Sequence, residues 1–237
     1  MSVIWHDLEC GTYAADMPLW RELAEHHDDP VLDIGAGTGR IALDLARRGH
    51  RVTALDRDPV LIAELIRRAA GLPVSTVVAD ARAFELDERF PLIIVPMQTI
   101  QLLGGERGRR EFLDRARRQL APGGAVAIAI TETLELYSSD DGLPVPVPDI
   151  RELDGIVYSS QPTAVREVAD GFVLERLRET IGSHGERSTE QDLIRLDRLS
   201  AETLEREGAA SGLALVERRV VRATADHVGS VVVVLGG

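Results

Sequence analysis

The chain has 237 residues, of which 44% are hydrophobic, enough apolar material for one large domain with a buried core. Its formal net charge is −12, and because all 27 basic residues are arginine, the sequence offers no lysine for a Schiff base or a P-loop. Such an acidic surface would repel a phosphate backbone, so nucleic acid is not expected as a partner.

The N-terminus and the cysteine content point to the compartment. The first ten residues, MSVIWHDLEC, include acids where a secretory signal needs a basic start, and no apolar run is long enough to span a bilayer. Cys10 is the only cysteine and cannot form an internal disulfide. We therefore expect a cytoplasmic protein that does not associate with a membrane.

The first half of the chain alternates between strand and helix patterns. Helices are predicted over about residues 18–27, 38–49, 59–71 and 109–120. The predicted strands are PVLDI, RVTALD, PVSTVVAD, FPLIIVPM and AVAIAIT, the last entered through an APGG turn. Five β–α alternations predict a doubly wound α/β sheet, with ligands at the carboxyl ends of the strands.

The second half has a different character. The stretch SSDDGLPVPVPD predicts a loop or lid, and residues 155–200 show the partial alternation of antiparallel strands, with a hairpin turn at Asp170-Gly171. A helix over 201–210 and two closing strands follow. Antiparallel strands with one apolar face must cover it, on a substrate cavity or on a second subunit, so a homodimer is one hypothesis.

The stretch VLDIGAGTGR places Gly35, Gly37 and Gly39 directly after the first strand. Such a loop can hold a nucleotide, hold a phosphate or make a tight corner. Asp56 ends the next strand, where a carboxylate can accept hydrogen bonds from both hydroxyls of a ribose. A dinucleotide would fit poorly, because Arg40 stands where the last glycine of a G-x-G-x-x-G motif belongs.

Four motifs in this order, VLDIGAGTG, VTALDRDP, VVADAR and LAPGGAVAIAI, resemble the class I S-adenosylmethionine-dependent methyltransferases. The resemblance covers about residues 30–131, and the segment from 200 to 235 fits the closing helix and antiparallel strand pair of that family. It implies a mostly parallel seven-stranded sheet with an antiparallel last strand, plus an antiparallel β insertion. The implied parts of a single domain are a lid segment (1–29), a cofactor-binding core (30–132), an insertion (133–199) and a closing segment (200–237).

The resemblance also implies a cofactor site. Asp33 would hold the methionine ammonium, Asp56 the ribose hydroxyls, and Asp80 the adenine amino group. Tyr13 would cover the methionine end of the cofactor. The implied cofactor-binding residues are Tyr13, Asp33, Gly35, Ala36, Gly37, Gly39, Asp56, Arg57, Asp80, Ala81, Pro96, Met97 and Gln98.

The sequence lacks most of the motifs that mark particular groups within this family. The fourth strand ends in VPMQTIQ, which lacks the Asn/Asp-Pro-Pro-aromatic motif of enzymes that methylate nucleic acid bases and the aspartates of metal-dependent catechol-type enzymes. We therefore expect metal-independent transfer of a methyl group to N or O of a small metabolite, which leaves S-adenosylhomocysteine. The alternative is a protein that binds S-adenosylmethionine without transferring its methyl group.

No side chain stands out as a general base. Tyr13, Gln98 and His227 are the catalytic candidates, and His6, Gln101 and Tyr158 are further polar groups that could orient an acceptor. The HHDD stretch at 26–29 resembles a metal cluster in composition only, because its histidines are adjacent and not four residues apart.

Overall fold

The computed structural model describes residues 3–142, 146–224 and 227–237, which form two compact units. The core unit comprises Tyr13–Glu132 and Leu199–Gly237, and the insertion unit comprises residues 3–12 and Thr133–Arg198. Of the helices within these ranges, none combines the length and the apolar character that a bilayer crossing requires.

The helices are α1 (Val3–Cys10), α2 (Met17–Glu25), α3 (Arg40–Arg47), α4 (Pro59–Arg68), α5 (Gly105–Gln119) and α6 (Ala201–Ala210). The strands are β1 (Val31–Ile34), β2 (Val52–Asp56), β3 (Val74–Val78), β4 (Phe90–Val95), β5 (Leu120–Ile130), β6 (Tyr137–Ser138), β7 (Asp149–Leu153), β8 (Ile156–Val168), β9 (Gly171–Ile181), β10 (Arg187–Asp197), β11 (Ala214–Val221) and β12 (Ser230–Gly236). Two short 3₁₀ helices cover Thr99–Leu102 and Ser139–Asp141.

The core unit is built on a seven-stranded sheet of order β11-β12-β5-β4-β1-β2-β3. The five strands from β5 to β3 pair in parallel, and β12 pairs antiparallel with both β5 and β11. This confirms the predicted fold class, including the antiparallel closing strand. The insertion unit confirms the predicted antiparallel insertion, with a sheet of order β10-β9-β8-β6 and with β7 also paired to β8.

Helices cover both faces of the large sheet, because successive residues of each buried strand point to opposite sides. Val31 of β1 packs in one apolar cluster with Trp20 of α2 and Leu45 of α3. Leu32, the next residue, packs in a second cluster with Phe112 of α5. The near-continuous apolar runs of the sequence are therefore strands that are buried on both faces.

Local signals fix several helix starts. The Asp58 carboxylate accepts from the amides of Val60 and Leu61 at the start of α4, where Pro59 occupies the first turn, as predicted. The Ser200 hydroxyl caps α6 by accepting from the amide of Thr203 at 3.2 Å. These caps satisfy amide groups that the helix itself leaves without partners.

Several local predictions need correction. Residues 79–89 contain no helix among the described residues, so the alternation is interrupted between β3 and β4 by a short turn. The APGG residues form no separate turn but bulge within β5, where the pairing with β4 shifts between Phe90 and Leu92. Helix α1 was not predicted, because a helix of eight residues with little propensity of its own depends on tertiary packing, here of Trp5 and Leu8.

The glycine loop between β1 and α3 owes its shape to packing within the protein. Gly35 and Gly39 have positive φ angles of 72° and 95°. A Cβ atom on Gly35 would lie 2.6 Å from the Cγ2 atom of Thr99, and one on Gly39 would lie 2.2 Å from a methyl group of Leu65. Neighbouring side chains of the core unit thus require both glycines.

We expect Gly39→Ala to destabilise the protein more than Gly49→Ala does. Both glycines have a positive φ, of 95° and 99°, but a Cβ atom on Gly49 would meet nothing within 4 Å. The difference in destabilisation between the two variants therefore measures the clash with Leu65 apart from the backbone strain that both share. Overpacking of this kind costs about 1–3 kcal/mol. Chemical denaturation of both variants measures it, and equal losses of stability would show that backbone strain alone makes glycine necessary at position 39.

Candidate functional site

The parallel strands end along one edge of the core sheet, and most of the predicted site residues follow those ends. The strand order places the end of β1, with Gly35, between the end of β4, with Met97, and the end of β2, with Asp56. Asp80 follows β3, the next strand outward. Residues that are far apart in the sequence therefore share the edge at which open α/β sheets bind ligands.

The Asp56 carboxylate ties the glycine loop to the end of β2. Its Oδ2 atom accepts from the amide of Gly37 at 2.9 Å, and its Oδ1 atom accepts from the amide of Asp58 at the same distance. The amides of Gly35 and Ala36 donate to the carbonyl of Leu55, at 2.8 and 3.0 Å. A carboxylate offers about four lone-pair sites, so two amides leave acceptor capacity on Asp56.

Asp33 is a buried carboxylate in the middle of β1. Its exposure is 1%, and neither oxygen accepts a hydrogen bond of normal geometry from the described part of the chain. Burial raises the pKa of Asp33 to about 7, an effect that the Arg40 guanidinium and the Ala42 amide oppose and the charges of Asp56 and Asp16 add to. A buried carboxylate with so little hydrogen bonding is suited to a cationic ligand.

Tyr13 presents a second buried polar group without a partner. Its hydroxyl makes no hydrogen bond of normal geometry to any described residue, and burial, followed by the charge of Asp16, raises the pKa of Tyr13, an effect that Arg40 and Ser230 partly oppose. Its ring packs against the imidazole of His227, with ring centroids 4.8 Å apart. The loop that carries His227 leads into β12, which pairs with β5 through Val231 and Ile130, so this loop reaches the same edge of the sheet.

Arg40, the first residue of α3, holds the segment that carries Tyr13. Its Nη1 and Nη2 atoms donate to the two carboxylate oxygens of Asp16 at 2.6 and 2.8 Å, and Nη1 also donates to the carbonyl of Tyr13 at 2.8 Å. The indole of Trp20 donates to Asp16 at 2.8 Å. The sequence analysis did not identify Asp16. Arg40 lies in the first turn of α3, where the helix dipole disfavours a positive charge, and an arginine at such a position indicates that an acidic partner is nearby.

Asp80 is a half-buried carboxylate that is paired with a nearby arginine. The guanidinium and the amide of Arg82 donate to it, with the shortest bond from Nη2 at 2.6 Å. The hydrogen bonds from Arg82 lower the pKa of Asp80 to about 2, and the charge of Arg57 acts in the same direction. The following residue, Ala81, is buried.

The segment after β4 is strained and well anchored. Met97 has a φ of 55°, in the left-handed region that non-glycine residues rarely adopt, and such strain concentrates at functional sites. Pro96, before it, is buried. The side-chain Nε2 atom of Gln98 donates to the Thr131 hydroxyl at 2.9 Å. Gln101 exchanges two hydrogen bonds with the backbone of Thr131, at 2.8 and 3.1 Å, which gives Gln101 a structural role.

The remaining polar candidates belong to the insertion unit or to the end of α2. Tyr158 packs edge-on against Trp5 within the insertion unit, and His6 belongs to α1 of the same unit. The Nδ1 atoms of His26 and His27 lie 2.7 and 2.8 Å from carbonyls of the last turn of α2, so these histidines cap a helix. Within residues 3–142, 146–224 and 227–237, no three His, Cys, Asp or Glu side chains are grouped to hold a metal ion.

Comparison with known proteins places this geometry in context. Residues 31–124 match the model of a methyltransferase domain family. The chain is 26% identical over 225 residues to an N-methyltransferase, FrzE, of Cladobotryum, covering 81% of this chain and 77% of that protein. It is 27% identical over 146 residues to the cypemycin N-terminal methyltransferase of Streptomyces, of which the match spans only 60%.

Solved structures share the fold over almost the whole chain. The amino pentose methyltransferase CalS10 of Micromonospora echinaspora, solved with S-adenosylmethionine bound, superposes with a TM-score of 0.72 at 18% identity, covering 98% of this chain and 96% of that one. A glycopeptide N-methyltransferase, MtfA, superposes with a TM-score of 0.62 at 24% identity, covering 95% and 88%. The fold is therefore common to proteins with little sequence in common.

The raised pKa of Asp33 predicts an unusual pH dependence of stability. Between its ordinary pKa of 3.8 and its native value of about 7, the folded protein keeps a proton that the unfolded chain releases. The contribution of Asp33 to stability is therefore highest at acidic pH and is lost as the pH rises towards 7, at about 1.4 kcal/mol per pH unit. We expect Asp33→Asn to gain stability relative to the wild type as the pH rises from 5 to 8.

Asp44→Asn is the matched control for this measurement. Arg21 pairs with Asp44 and lowers its pKa, so the stabilisation from this ion pair is lost only as the pH falls below the ordinary range of an aspartate. Denaturation curves from pH 5 to 8 should therefore show a constant difference between Asp44→Asn and the wild type. A constant difference for Asp33→Asn as well would contradict a pKa near 7 for Asp33.

Proposed function

We propose that this chain, a class I S-adenosylmethionine-dependent methyltransferase by its domain and its fold, methylates N or O of a small molecule without a metal ion. The observation that carries the proposal is that two buried polar groups, the Asp33 carboxylate and the Tyr13 hydroxyl, make no hydrogen bond of normal geometry to the described residues and belong to the unit whose glycine loop is already shaped. Buried polar groups are normally hydrogen-bonded, so these two are suited to a ligand.

The residues at the strand ends fit S-adenosylmethionine. Asp33 would pair with the methionine ammonium, and Tyr13 would cover that end of the cofactor. Asp56 would accept from the ribose hydroxyls with the acceptor capacity that its two amide donors leave. Asp80 and Ala81 would meet the adenine, although Arg82 already donates to both oxygens of Asp80 and would have to share that carboxylate.

The cofactor would supply a methyl group that is already activated for displacement by a nucleophile. What remains for the protein is to align the acceptor and to exclude water, and alignment of this kind can lower a barrier by about 7–11 kcal/mol. Gln98 is placed for this role at the end of β4. Its amide nitrogen is committed to Thr131, so its carbonyl oxygen is the group that would orient an acceptor N–H or O–H.

An amine acceptor needs no strong base, but it must react in its neutral form. The named relatives FrzE, CalS10 and the cypemycin enzyme are an N-methyltransferase, an amino pentose methyltransferase and an N-terminal methyltransferase, which favours nitrogen here. For a hydroxyl acceptor, we propose His227 as the base, because its imidazole lies against Tyr13 at the ligand edge of the sheet.

The insertion unit favours a homodimer. Leu177, Leu193 and Ile150 lie on one face of its antiparallel sheet and are 39%, 64% and 62% exposed. Glu175 and Glu179 lie on the same face, so these aliphatic side chains are exposed on a mixed face, and a partner that covers them would remove apolar surface from water. The occupant that we propose for this face is the same face of a second copy.

Binding of S-adenosylhomocysteine tests the proposed function. We expect calorimetric titration to detect binding, and incubation with S-adenosylmethionine and small amines to release S-adenosylhomocysteine. Asp56→Ala should weaken binding by about 1–3 kcal/mol, or roughly 5- to 150-fold, through loss of charge-assisted hydrogen bonds. Asp58→Ala, which removes the carboxylate that caps α4 but keeps the backbone amide that donates to Asp56, is the control and should keep the wild-type affinity.

The outcomes separate the parts of this proposal. A folded protein that does not bind S-adenosylhomocysteine would overturn the cofactor assignment as a whole. Binding that is unchanged in Asp56→Ala would remove Asp56 from the site. Binding without methyl transfer to any amine or alcohol tested would favour a protein that binds the cofactor without using it.

Light scattering tests the homodimer. We expect the mass of a dimer for the wild type and the mass of a monomer for Leu193→Glu, because a charge at the interface would be buried without a partner. Val220→Glu is the control, since Val220 is 73% exposed on β11 of the core unit. A monomeric wild type, or a dimer that Leu193→Glu leaves intact, would contradict the proposal.

A further inference from the structure

Arg40 joins two parts of the core unit that are more than 20 residues apart in the sequence. It is the first residue of α3, directly after the glycine loop, and it donates to the carbonyl of Tyr13 and to both oxygens of Asp16. Its guanidinium also lies 5.2 Å from the centre of the Tyr13 ring. The side chains of Arg40 and Asp16 are only 11% and 4% exposed, so this ion pair is largely shielded from water.

Arg40 is also the cation among three carboxylates. Asp33 of β1, whose oxygens accept no hydrogen bond of normal geometry within the described structure, is influenced by the charges of Arg40 from α3, Asp16 from the segment before α2 and Asp56 from β2. Arg40 favours the ionised form of Asp33, whereas Asp16 and Asp56 oppose it. Removing Arg40 would leave like charges around a buried acid.

We infer that Arg40 is a positioning residue for the cofactor: it holds Asp16 and the segment that carries Tyr13 at the start of α3, beside the glycine loop. This inference rests on the proposed function. It gives Arg40 an indirect role in cofactor binding, whereas the sequence analysis used this residue only to disfavour a dinucleotide. Arg40 acts through Tyr13, Asp16 and Asp33 and is not assigned a contact with the cofactor.

A second ion pair between the same two helices provides a matched control. Arg21 of α2 donates two hydrogen bonds of 2.8 Å to Asp44 of α3. This pair links the helices as the Arg40–Asp16 pair does, but neither residue is among the leading charges that act on Asp33. Arg21→Met therefore removes one ion pair from the same helix layer and leaves the proposed positioning intact.

The test is the affinity for S-adenosylhomocysteine, measured by calorimetry from pH 5 to 8. Wild-type affinity should fall as the pH decreases through the pKa of Asp33, because the protonated acid cannot pair with an ammonium group. In Arg40→Met, we expect an affinity at least tenfold lower at pH 7 and a pH midpoint that moves upward. Asp16→Asn should move the midpoint downward, because it removes a like charge, and Arg40→Met/Asp16→Asn should restore it.

Two further variants keep the inference testable if Arg40→Met does not fold. Arg40→Lys keeps the charge but loses the paired hydrogen bonds to Asp16, so binding should weaken while the midpoint stays near the wild-type value. Arg21→Met should change neither quantity. Circular dichroism and thermal unfolding of each variant establish that it is folded before its binding is interpreted.

The results distinguish this inference from the proposed function. If the wild type does not bind S-adenosylhomocysteine, the proposed function fails. If the wild type binds but Arg40→Met and Arg40→Lys bind equally well with unchanged midpoints, only the role of Arg40 fails. Midpoints that move in the same direction in Arg40→Met and Asp16→Asn would also overturn it, because loosened packing and not charge would then control Asp33.

Discussion

The core unit contains a buried carboxylate, Asp33, whose oxygens accept no hydrogen bond of normal geometry from the described residues. Asp33 lies within β1, where all four residues are buried and the neighbouring strands are apolar. Burial of such a group is unfavourable unless a charge or a donor compensates it. The partial compensation comes from Arg40, whose guanidinium is itself held in place by Asp16. The position of the segment that carries Tyr13 is thus linked to the charge of a residue in the centre of the sheet.

The glycines of the loop between β1 and α3 are required for a different physical reason from the one that the sequence pattern predicts. The glycines of VLDIGAGTGR predict room for a ligand, but the atoms nearest to a Cβ on Gly35 and on Gly39 belong to Thr99 and Leu65. These glycines let the loop pack against the end of β4 and against α4. A loop that is shaped by protein packing keeps its form before any ligand arrives, so binding requires little reorganisation.

The sequence was sufficient for the sheet, because each parallel strand is a short apolar run that ends in a glycine, an acid or a polar turn. It was sufficient for Asp58 as a helix cap, because capping depends on residues within one turn. It did not reveal the pairing of Arg40 with Asp16, which are separated by 24 positions and meet only when α2 packs on α3. Long-range polar contacts have no local periodicity, and here the only signal was an arginine in the first turn of a helix.

The strands of the insertion unit were harder to predict from the sequence, again because long-range polar contacts have no local pattern. Its buried face is held by charged groups as well as by apolar ones: Arg178 pairs with Glu9 at 2.7 Å and also with Asp192, and its guanidinium lies over the ring of Trp5. Buried arginines and glutamates blur the alternation that identifies a strand with one apolar face, so β8, β9 and β10 were recognised only in pieces.

The core unit buries mainly aliphatic side chains, although it also contains the buried ion pair Arg109–Glu207. Among its buried polar groups without partners in the described residues, the Asp33 carboxylate and the Tyr13 hydroxyl lie near the ligand edge. The insertion unit spends its buried charges on internal ion pairs such as Arg178–Glu9. Unsatisfied polar groups are expensive, and a fold retains them where a ligand satisfies them. For that reason the core unit, rather than the charge-rich insertion unit, has the stronger physical case for holding the cofactor.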